Sequence, residues 1–528
     1  MAGAGKQSAA GLVAAGILLS RLFGLVRERA FAHYFGNSEA ADVFRAAMRI
    51  PNVLQNLFGE GVLSASFIPA YARRLAEGDE VGARRLASAV ATLLTLVTSV
   101  LVLLGVLTTP LLIDLIAPGF TGEKRTSAIR LVQMFFPGTG LLVLSAWCLG
   151  VLNSHRRFFL SYAAPVVWNL AIVLALVAFG GRYTDHALAE RVAWGLVVGS
   201  ALQFLVQLPS AWRLSGGIRP QLGLAYPEVR QVVRNFFPAL ASRGVVQVSA
   251  YTDNLLASLL PTGALAAMGY AQTLYLLPVS LFGMSVTAAQ LPAMSSATGT
   301  DQEIAAAVRL QLDRGLARMA FFIVPSVVAI LLLGDALVGA LYQTGEFDAA
   351  STHYVWMVLA GYGLGLAAST QARLYSSGFF ALADTRTPVR FAIVRVVLGI
   401  GLGAAGALLV PGWLGVGAEW GAVGLAVAAS VAGVVEFGLL RSALDTRVGA
   451  GGVAWSRYAQ LVGAALPAGL LGLLTKLTLP PELHPVLRGG LVVVVFGAVY
   501  LGLTLLLKVP EAANVAERVR ARLKRRAG

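Results

Sequence analysis

The stretch that decides the fold is residues 20–69, SRLFGLVRERAFAHYFGNSEAADVFRAAMRIPNVLQNLFGEGVLSASFIP. It is apolar enough to enter a membrane, yet it carries charges at Arg21, Arg27, Glu28, Asp42, Arg45, Arg49 and Glu60. A charged side chain at bilayer depth costs about 3 kcal/mol or more unless it faces protein or water. The stretch therefore predicts a polar surface inside a bundle of membrane helices.

The second half of this stretch predicts one polar helix face. Its polar residues recur every three or four positions: Asp42, Arg45, Arg49, Asn52, Asn56 and Glu60. That spacing places them on the same side of an α-helix. Pro51 lies in the middle and removes a backbone donor, so we expect it to kink the helix there.

Composition identifies the class of protein. Hydrophobic residues make up 57% of the 528 residues and charged residues 13%, against about 45 to 50% and about 25% in soluble proteins. The sequence therefore predicts an all-α, polytopic membrane protein. The net charge of +15 is attributed to basic residues on one side of the membrane rather than to nucleic-acid binding.

Little in the chain points to catalysis, a metal or a cofactor. The lone Cys148 and the five scattered histidines form no ligand motif. A GxGxxG pattern at Gly401, Gly403 and Gly406 lies inside a predicted span with no preceding strand, which favours helix packing over dinucleotide binding. Because neither a P-loop nor a catalytic triad is recognisable, we expect no enzyme activity, no metal and no cofactor.

Apolar runs of about 20 residues, the length needed to cross a hydrocarbon core, mark the spans. Fourteen are predicted, at 8–35, 41–71, 86–116, 126–151, 160–180, 190–212, 230–260, 263–295, 305–333, 353–377, 388–410, 417–441, 455–478 and 486–508. The first run continues past Arg21 and Arg27 without a clear cleavage site, so it is read as a retained span rather than a signal peptide.

The distribution of Lys and Arg predicts the orientation, because positive loops stay in the cytoplasm. One set of alternate loops carries Arg73, Arg74, Arg84, Arg85, Arg156, Arg157, Arg213, Arg219, Arg309, Arg314, Arg386 and Arg447. The opposite set is nearly free of them, with the exceptions Lys124, Arg125, Arg182, Arg191, Lys476 and Arg488. We therefore expect both termini in the cytoplasm of a bacterial inner-membrane protein, with the basic tail 511–528 at the inner leaflet.

The chain also matches itself at an offset of roughly 220 residues, the mark of an internal transporter repeat. Ser20 and Arg21 correspond to Ser242 and Arg243, and the LFG at 57–59 corresponds to the LFG at 281–283. The repeat predicts a first lobe at 1–225 and a second at 226–445, each of six helices, followed by two appended helices at 446–510. A substrate site is expected where two such repeats meet.

The motifs SRLFGLVRE, Asp42, RIPNVLQNLFGEG and FIP resemble those of the bacterial lipid II flippases, the MurJ or MviN family. APGF, LNSHRRFFLSYAAPVVWN, YQTGEF and TRTPV extend the resemblance to about residue 445. It implies a MATE-like fold and alternating-access transfer of an undecaprenyl-diphosphate-linked peptidoglycan precursor to the outer leaflet. The implied partners are this lipid and the surrounding membrane, with the protein acting as a monomer and contact with cell-wall synthesis proteins left open.

The resemblance also implies site residues. Ser20, Arg21, Arg27, Glu28, Asp42, Pro51, Asn52 and Glu60 fall on family positions. The chain departs from the family at Gln55, where an arginine is usual, and at Gln272, Thr273 and Leu276, where a charged pattern is usual. The repeat suggests Arg45, Arg49 and Arg243 as the replacement charges. The predicted substrate-binding set is thus Ser20, Arg21, Arg27, Glu28, Asp42, Arg45, Arg49, Asn52 and Arg243, with Pro51, Glu60, Asp253 and Arg395 in gating or coupling.

An arginine-rich cavity favours an anionic lipid, since Arg binds phosphate oxygens in a bidentate manner. Other polyprenyl-linked glycans, a cation-coupled drug exporter, a cell-wall scaffold and a purely structural set of ion pairs remain alternatives. Family members that bind sodium use a span-seven Asp with Asn and Asp of span eleven. Span eleven here has neither residue but contains Arg395, which predicts an ion pair between Arg395 and Asp253 that makes transport independent of sodium; a contact of Arg395 with substrate is the alternative.

Overall fold

The computed structural model describes residues 2–517, without the side chains of residues 2–15, 60, 238–239 and 241–250. Within this part the chain forms α-helices and no β-strand. The helices that come first are α1 (Ala2–Phe35), α2 (Glu39–Phe58), α3 (Glu60–Ala76), α4 (Glu80–Ile116), α5 (Gly122–Ser154), α6 (Phe158–Phe179), α7 (Asp185–Leu214), α8 (Pro227–Ser258) and α9 (Ala264–Pro278).

Further α-helices follow, up to Leu506. They are α10 (Ser285–Ser295), α11 (Asp301–Tyr342), α12 (Ala349–Leu364), α13 (Leu366–Ala381), α14 (Arg386–Leu408), α15 (Val410–Leu414), α16 (Gly421–Val448), α17 (Trp455–Thr478) and α18 (Pro485–Leu506). Ten helical segments of the described part are long and apolar enough to cross a membrane. The all-α, polytopic membrane class is confirmed, whereas the count of fourteen spans stays a prediction.

The chain divides into two compact units, Met1–Ala266 and Ala267–Gly528. This division falls one helix later than the lobe boundary expected at residue 225, because α8 packs against α2, α3 and α4 of the first unit. The two repeat-related lobes and the appended helices therefore remain a prediction.

In the first unit, α5 is the central helix and is almost wholly buried between α2, α3, α4 and α7. Phe67 and Tyr71 of α3 pack with Trp147 of α5 in the core. The Trp147 indole donates a hydrogen bond of 3.1 Å to the Ala87 carbonyl, so the ring is fixed as well as buried. Helix α2 packs against α5, and this packing fixes the position of the polar face of α2.

Two predicted spans are interrupted at glycines. The span expected at 41–71 is not one helix: α2 continues through Pro51 and ends at Phe58, and the break lies at Gly59. A Cβ at Gly59 would lie 2.1 Å from the Gln55 carbonyl oxygen, so only glycine fits this backbone. The span expected at 353–377 breaks at Gly365, where a Cβ would meet the Ser430 backbone at 2.6 Å.

In the second unit, the long helix α11 supports α17 and α18. It begins with a capping box, in which the Thr300 hydroxyl accepts from the Glu303 amide while the Glu303 carboxylate accepts from the Thr300 amide. Tyr500 of α18 donates a hydrogen bond of 2.6 Å to the Phe321 carbonyl of α11. Helices α17 and α18 are thus packed on α11 within the second unit.

The TRTPV motif begins α14, and the preceding Asp384 organises its first turn. The Asp384 carboxylate accepts from the Arg386 and Thr387 amides at 2.9 and 3.0 Å and from the Thr387 hydroxyl at 2.7 Å. The Arg447 guanidinium lies 2.8 Å away, at the end of α16. These hydrogen bonds, with a contribution from Arg447, lower the pKa of Asp384 to about 2.

We expect Asp384→Asn to lower the melting temperature of the purified protein at pH 6. A carboxyl whose pKa is depressed on folding stabilises the native state above its unfolded pKa and loses that contribution as the pH falls through its folded pKa. The difference from wild type should therefore shrink between about pH 4 and pH 2. Glu482→Gln, at an exposed carboxylate, is the control; an Asp384→Asn effect that is independent of pH would contradict the assignment.

Candidate functional site

The polar stretch of α1 and α2 forms a buried ion cluster around Glu28. One Glu28 carboxylate oxygen lies 2.7 Å from Arg27 and the other lies 2.8 Å from Arg45. Glu28 is 8% exposed, so the carboxylate is shielded from solvent while both its oxygens are paired. We call Arg27, Glu28 and Arg45 the Glu28 cluster. With two arginines and one glutamate, it carries one net positive charge.

Aromatic rings hold both guanidinium groups in place. Arg27 lies 4.9 Å from the centre of the Trp168 ring on α6, and Arg45 lies 5.1 Å from that of Phe31. The Trp168 indole is itself fixed by a hydrogen bond of 3.2 Å to the Ser200 hydroxyl on α7. Cation–π contacts of this kind stabilise a cation without neutralising it.

Arg27 opens into a cavity of about 310 Å³ within the first unit. The lining residues are Ser20, Gly24, Arg27, Gln55, Leu142, Pro165, Trp168, Asn169 and Gln203. The cavity lining therefore combines polar and cationic side chains with apolar ones. The Asn169 side-chain oxygen has no hydrogen-bond donor among the residues that the structure describes. Such a cavity can bind an anionic group at Arg27 and form hydrogen bonds to the rest of a polar ligand.

Asp42 lies apart from that cavity lining, in a second buried site. Its two oxygens accept from the backbone amides of Gly263 and Ala266 at 2.7 and 2.8 Å, and the Lys124 amine lies 3.4 Å away. Asp42 is only 1% exposed. The carboxylate thus binds the start of α9, and the predicted contact of Asp42 with substrate stays a prediction.

The other predicted site residues are distributed over several positions. Ser20 lines the cavity, Arg21 is exposed, Asn52 and Asp253 are half-buried, and Pro51 is buried. Arg49 accepts a hydrogen bond of 3.2 Å from the Tyr251 hydroxyl through its backbone carbonyl. The side chains of Glu60 and Arg243 lie outside the described residues, so their roles stay predictions.

Arg395 in the second unit has a partner that the sequence analysis did not name. Its guanidinium lies 3.3 Å from Glu436 of α16, and that carboxylate also lies in the field of Arg373. Gln272, one of the family departures, donates a hydrogen bond of 3.0 Å to the Tyr362 hydroxyl. The pairing of Arg395 with Asp253 remains a prediction, since Asp253 belongs to the first unit.

The pair of Arg395 and Glu436 predicts strong energetic coupling. Glu436→Ala is expected to destabilise the purified protein, because it removes the partner of Arg395. The double variant with Arg395→Ala should recover part of the loss. The melting temperatures of the four proteins measure this coupling, and additive losses would show that the two side chains act independently.

Three residues of these sites were not predicted as site residues from the sequence. Trp168 and Asn169 stand within the LNSHRRFFLSYAAPVVWN motif, but nothing in the pattern placed them beside Arg27. Lys124 was noted only as an exception to the charge asymmetry, and its partner Asp42 explains its position. Among the described residues, no group of three His, Cys, Asp or Glu side chains could hold a metal ion.

The architecture of this chain is similar to that of two solved membrane proteins. A lipid II flippase MurJ in an inward closed conformation covers 93% of this chain and 98% of its own, with a TM-score of 0.75 and 24% identity. An inward-facing multidrug resistance MATE transporter of the MOP superfamily covers 81% and 95%, with a TM-score of 0.64 and 17% identity. At these identities the likeness concerns the fold alone, and it defines the class: a helical membrane-protein fold with the architecture that MurJ and MATE proteins share.

The sequence comparisons give the family. The model described as lipid II flippase MurJ matches residues 31–481. A probable lipid II flippase MurJ of Rhizobium meliloti is 32% identical over 418 residues, which cover 75% of this chain and 76% of the relative. The lipid II flippase MurJ of Burkholderia cenocepacia is 32% identical over 383 residues, 71% of this chain and 73% of the relative. The chain belongs to the lipid II flippase MurJ family.

Proposed function

We propose that this protein transfers lipid II, the undecaprenyl-diphosphate-linked peptidoglycan precursor, from the inner to the outer leaflet of the bacterial inner membrane. The observation that carries the proposal is the Glu28 cluster, with Arg27 at a cavity and one net positive charge. Two aromatic-supported arginines suit a diphosphate, which offers several acceptor oxygens to each guanidinium. The identity of the cargo is inferred from the family, and the Glu28 cluster provides the side chains that would bind it.

The same charges argue against a cationic drug as cargo. A cation would have to enter beside Arg27 and Arg45, whereas the single carboxylate of Glu28 is already paired with both. Like charges in a desolvated cavity repel strongly. We therefore propose an anionic cargo. We also propose that the protein moves this cargo by alternating access without catalysing a reaction, and that both of its termini lie in the cytoplasm.

Replacement of the resident flippase tests this function. In bacteria depleted of their own lipid II flippase, expression of this chain is expected to restore growth. Arg27→Ala should fail while still inserting into the membrane, and Arg182→Ala, at an exposed arginine outside the cluster, should succeed. Failure of the wild-type chain at normal membrane levels, or rescue by Arg27→Ala, would overturn the proposal.

A further inference from the structure

Lys476 and Arg488 were two of the cations that did not fit the charge asymmetry of the loops, and the structure places both at one cavity. Two of the other exceptions have acidic partners: Lys124 lies by Asp42, and Arg125 by Asp114. Lys476 is paired with Asp335 of α11. Arg488 has no carboxylate within ion-pair distance among the described residues, so its charge is not neutralised by the protein.

The Arg488 side chain is half-buried and only partly satisfied. One terminal nitrogen donates a hydrogen bond of 3.0 Å to the Lys476 backbone carbonyl. Its Nε atom is buried and has no acceptor among the residues that the structure describes. A buried donor without an acceptor is unfavourable, and an incoming acceptor would remove that cost.

The cavity beside Arg488 has a volume of about 270 Å³ and is lined by groups that form hydrogen bonds. The polar lining residues are Asp335, Gln343, Thr352, His353, Lys476 and Arg488. They come from α11, the residue that follows it, α12, α17 and α18, all within the second unit. Asp335 is the only carboxylate of that lining and is occupied by Lys476. The arrangement leaves one guanidinium facing the cavity, beside the ion pair of Lys476 with Asp335 and among other side chains that form hydrogen bonds.

We infer that this cavity binds a phosphate group, with Arg488 as its main ligand and Lys476, Thr352 and Gln343 as further donors. Arg binds phosphate oxygens through parallel hydrogen bonds, and a partly buried guanidinium strengthens them. Both cations come from α17 and α18, the helices that follow the predicted repeat. The inference gives these two helices a role in ligand binding that is separate from the Glu28 cluster.

The loops at this end of the second unit belong to the set that is poor in Lys and Arg, so the proposed orientation places the cavity at the outer leaflet. Two sources of phosphate are present there: the head group of an outer-leaflet phospholipid, and the diphosphate of transferred cargo. The chemistry of recognition is the same for both. A purely structural role, in which Arg488 only joins α17 to α18, is the competing explanation.

The test compares the full-length protein with Arg488→Gln in nanodiscs of phosphatidylcholine. Inorganic pyrophosphate is added at constant ionic strength, and its affinity is measured from the rise in melting temperature. The variant is expected to bind at least about tenfold more weakly, the loss expected for a charge-assisted hydrogen bond. Arg182→Gln is the matched control and should bind as wild type does. Arg488→Lys keeps the charge, serves if the glutamine variant does not fold, and should bind with intermediate affinity.

The source is resolved by repeating the comparison in nanodiscs that contain phosphatidylglycerol or undecaprenyl diphosphate. The natural ligand is the lipid that stabilises wild type more than Arg488→Gln. If pyrophosphate and both lipids stabilise wild type and the Arg488 variants equally, or stabilise neither, the site is structural and the inference is wrong. Since the Glu28 cluster is intact in every variant, this outcome is independent of the flippase proposal.

Discussion

Glu28→Ala is expected to abolish lipid II export and to lower the free energy of unfolding by about 3 to 5 kcal/mol, the cost of removing one member of a buried ion pair. The carboxylate is the shared partner of Arg27 and Arg45, so its loss leaves two guanidiniums in a buried site without a counter-ion. Denaturation of the purified protein gives the stability, and rescue of flippase-depleted cells gives the activity. No other single change to the cluster strands two charges.

Matched variants separate the cluster from ordinary surface charge. Glu190→Ala removes a carboxylate paired with Arg130, whose side chain is 63% exposed, and should cost no more than about 1 kcal/mol. Glu28→Gln keeps the shape and one acceptor and should be less destabilising than alanine. If the Glu28→Ala protein is as stable and as active as Glu190→Ala, the pairing of Glu28 with Arg27 and Arg45 does not contribute to stability or export.

Asp42→Ala is expected to have the second largest effect, a destabilisation of about 3 kcal/mol or more together with loss of export. The change removes the acceptor of two backbone amides, at Gly263 and Ala266, and the counter-ion of Lys124. Unsatisfied buried donors and an unpaired buried charge both carry large penalties. The free energy of unfolding of the purified variant measures the first effect, and complementation measures the second.

Two further variants divide this loss between its causes. Lys124→Ala removes only the ion pair, so it should cost less than Asp42→Ala, and the double variant should resemble Asp42→Ala alone. Asp42→Asn keeps one carbonyl oxygen and should retain part of the stability. Equal losses for Lys124→Ala and Asp42→Ala would show that the ion pair matters and the two amide bonds do not.

The sequence was sufficient for the class of fold and for the stretch that carries the site. Charge inside an apolar run is costly, so residues 20–69 had to form a buried polar surface, and the Glu28 cluster lies there. Which charges pair could not be read from the sequence: Glu28 and Arg45 lie 17 positions apart, on different helices. Spacing along one helix predicts a shared face but carries no information about a partner on another helix.

The helix break at Gly59 was not predicted. Pro51 removes a backbone donor, which made it the expected site of a kink, and α2 continues through Pro51 as a helix and ends before Gly59. A proline in a membrane helix can be accommodated when neighbouring groups satisfy the freed carbonyl. The contact that permits only glycine at position 59, with the Gln55 carbonyl, exists only once the backbone has turned.

Contacts between side chains from distant segments of the chain also could not be predicted from the sequence. Trp168 lies on α6 and supports Arg27 of α1, and Glu436 of α16 pairs with Arg395 of α14. In both cases the helix packing, rather than any local pattern, selects the contact. The charge asymmetry of the loops nevertheless gave a usable signal, since three of its six exceptions, Lys124, Lys476 and Arg488, lie at polar sites in the structure.

The most direct test of the central claim measures transfer of a labelled lipid-linked diphosphate across liposomes that contain the purified protein. Wild type and Arg182→Ala are expected to deliver the label to the opposite leaflet at equal rates. The double variant Arg27→Gln with Arg45→Gln, which removes both partners of Glu28, should fall to the rate of protein-free liposomes while remaining folded. Transfer by that double variant at the wild-type rate would contradict the account, because the diphosphate would then cross without the arginines proposed to bind it.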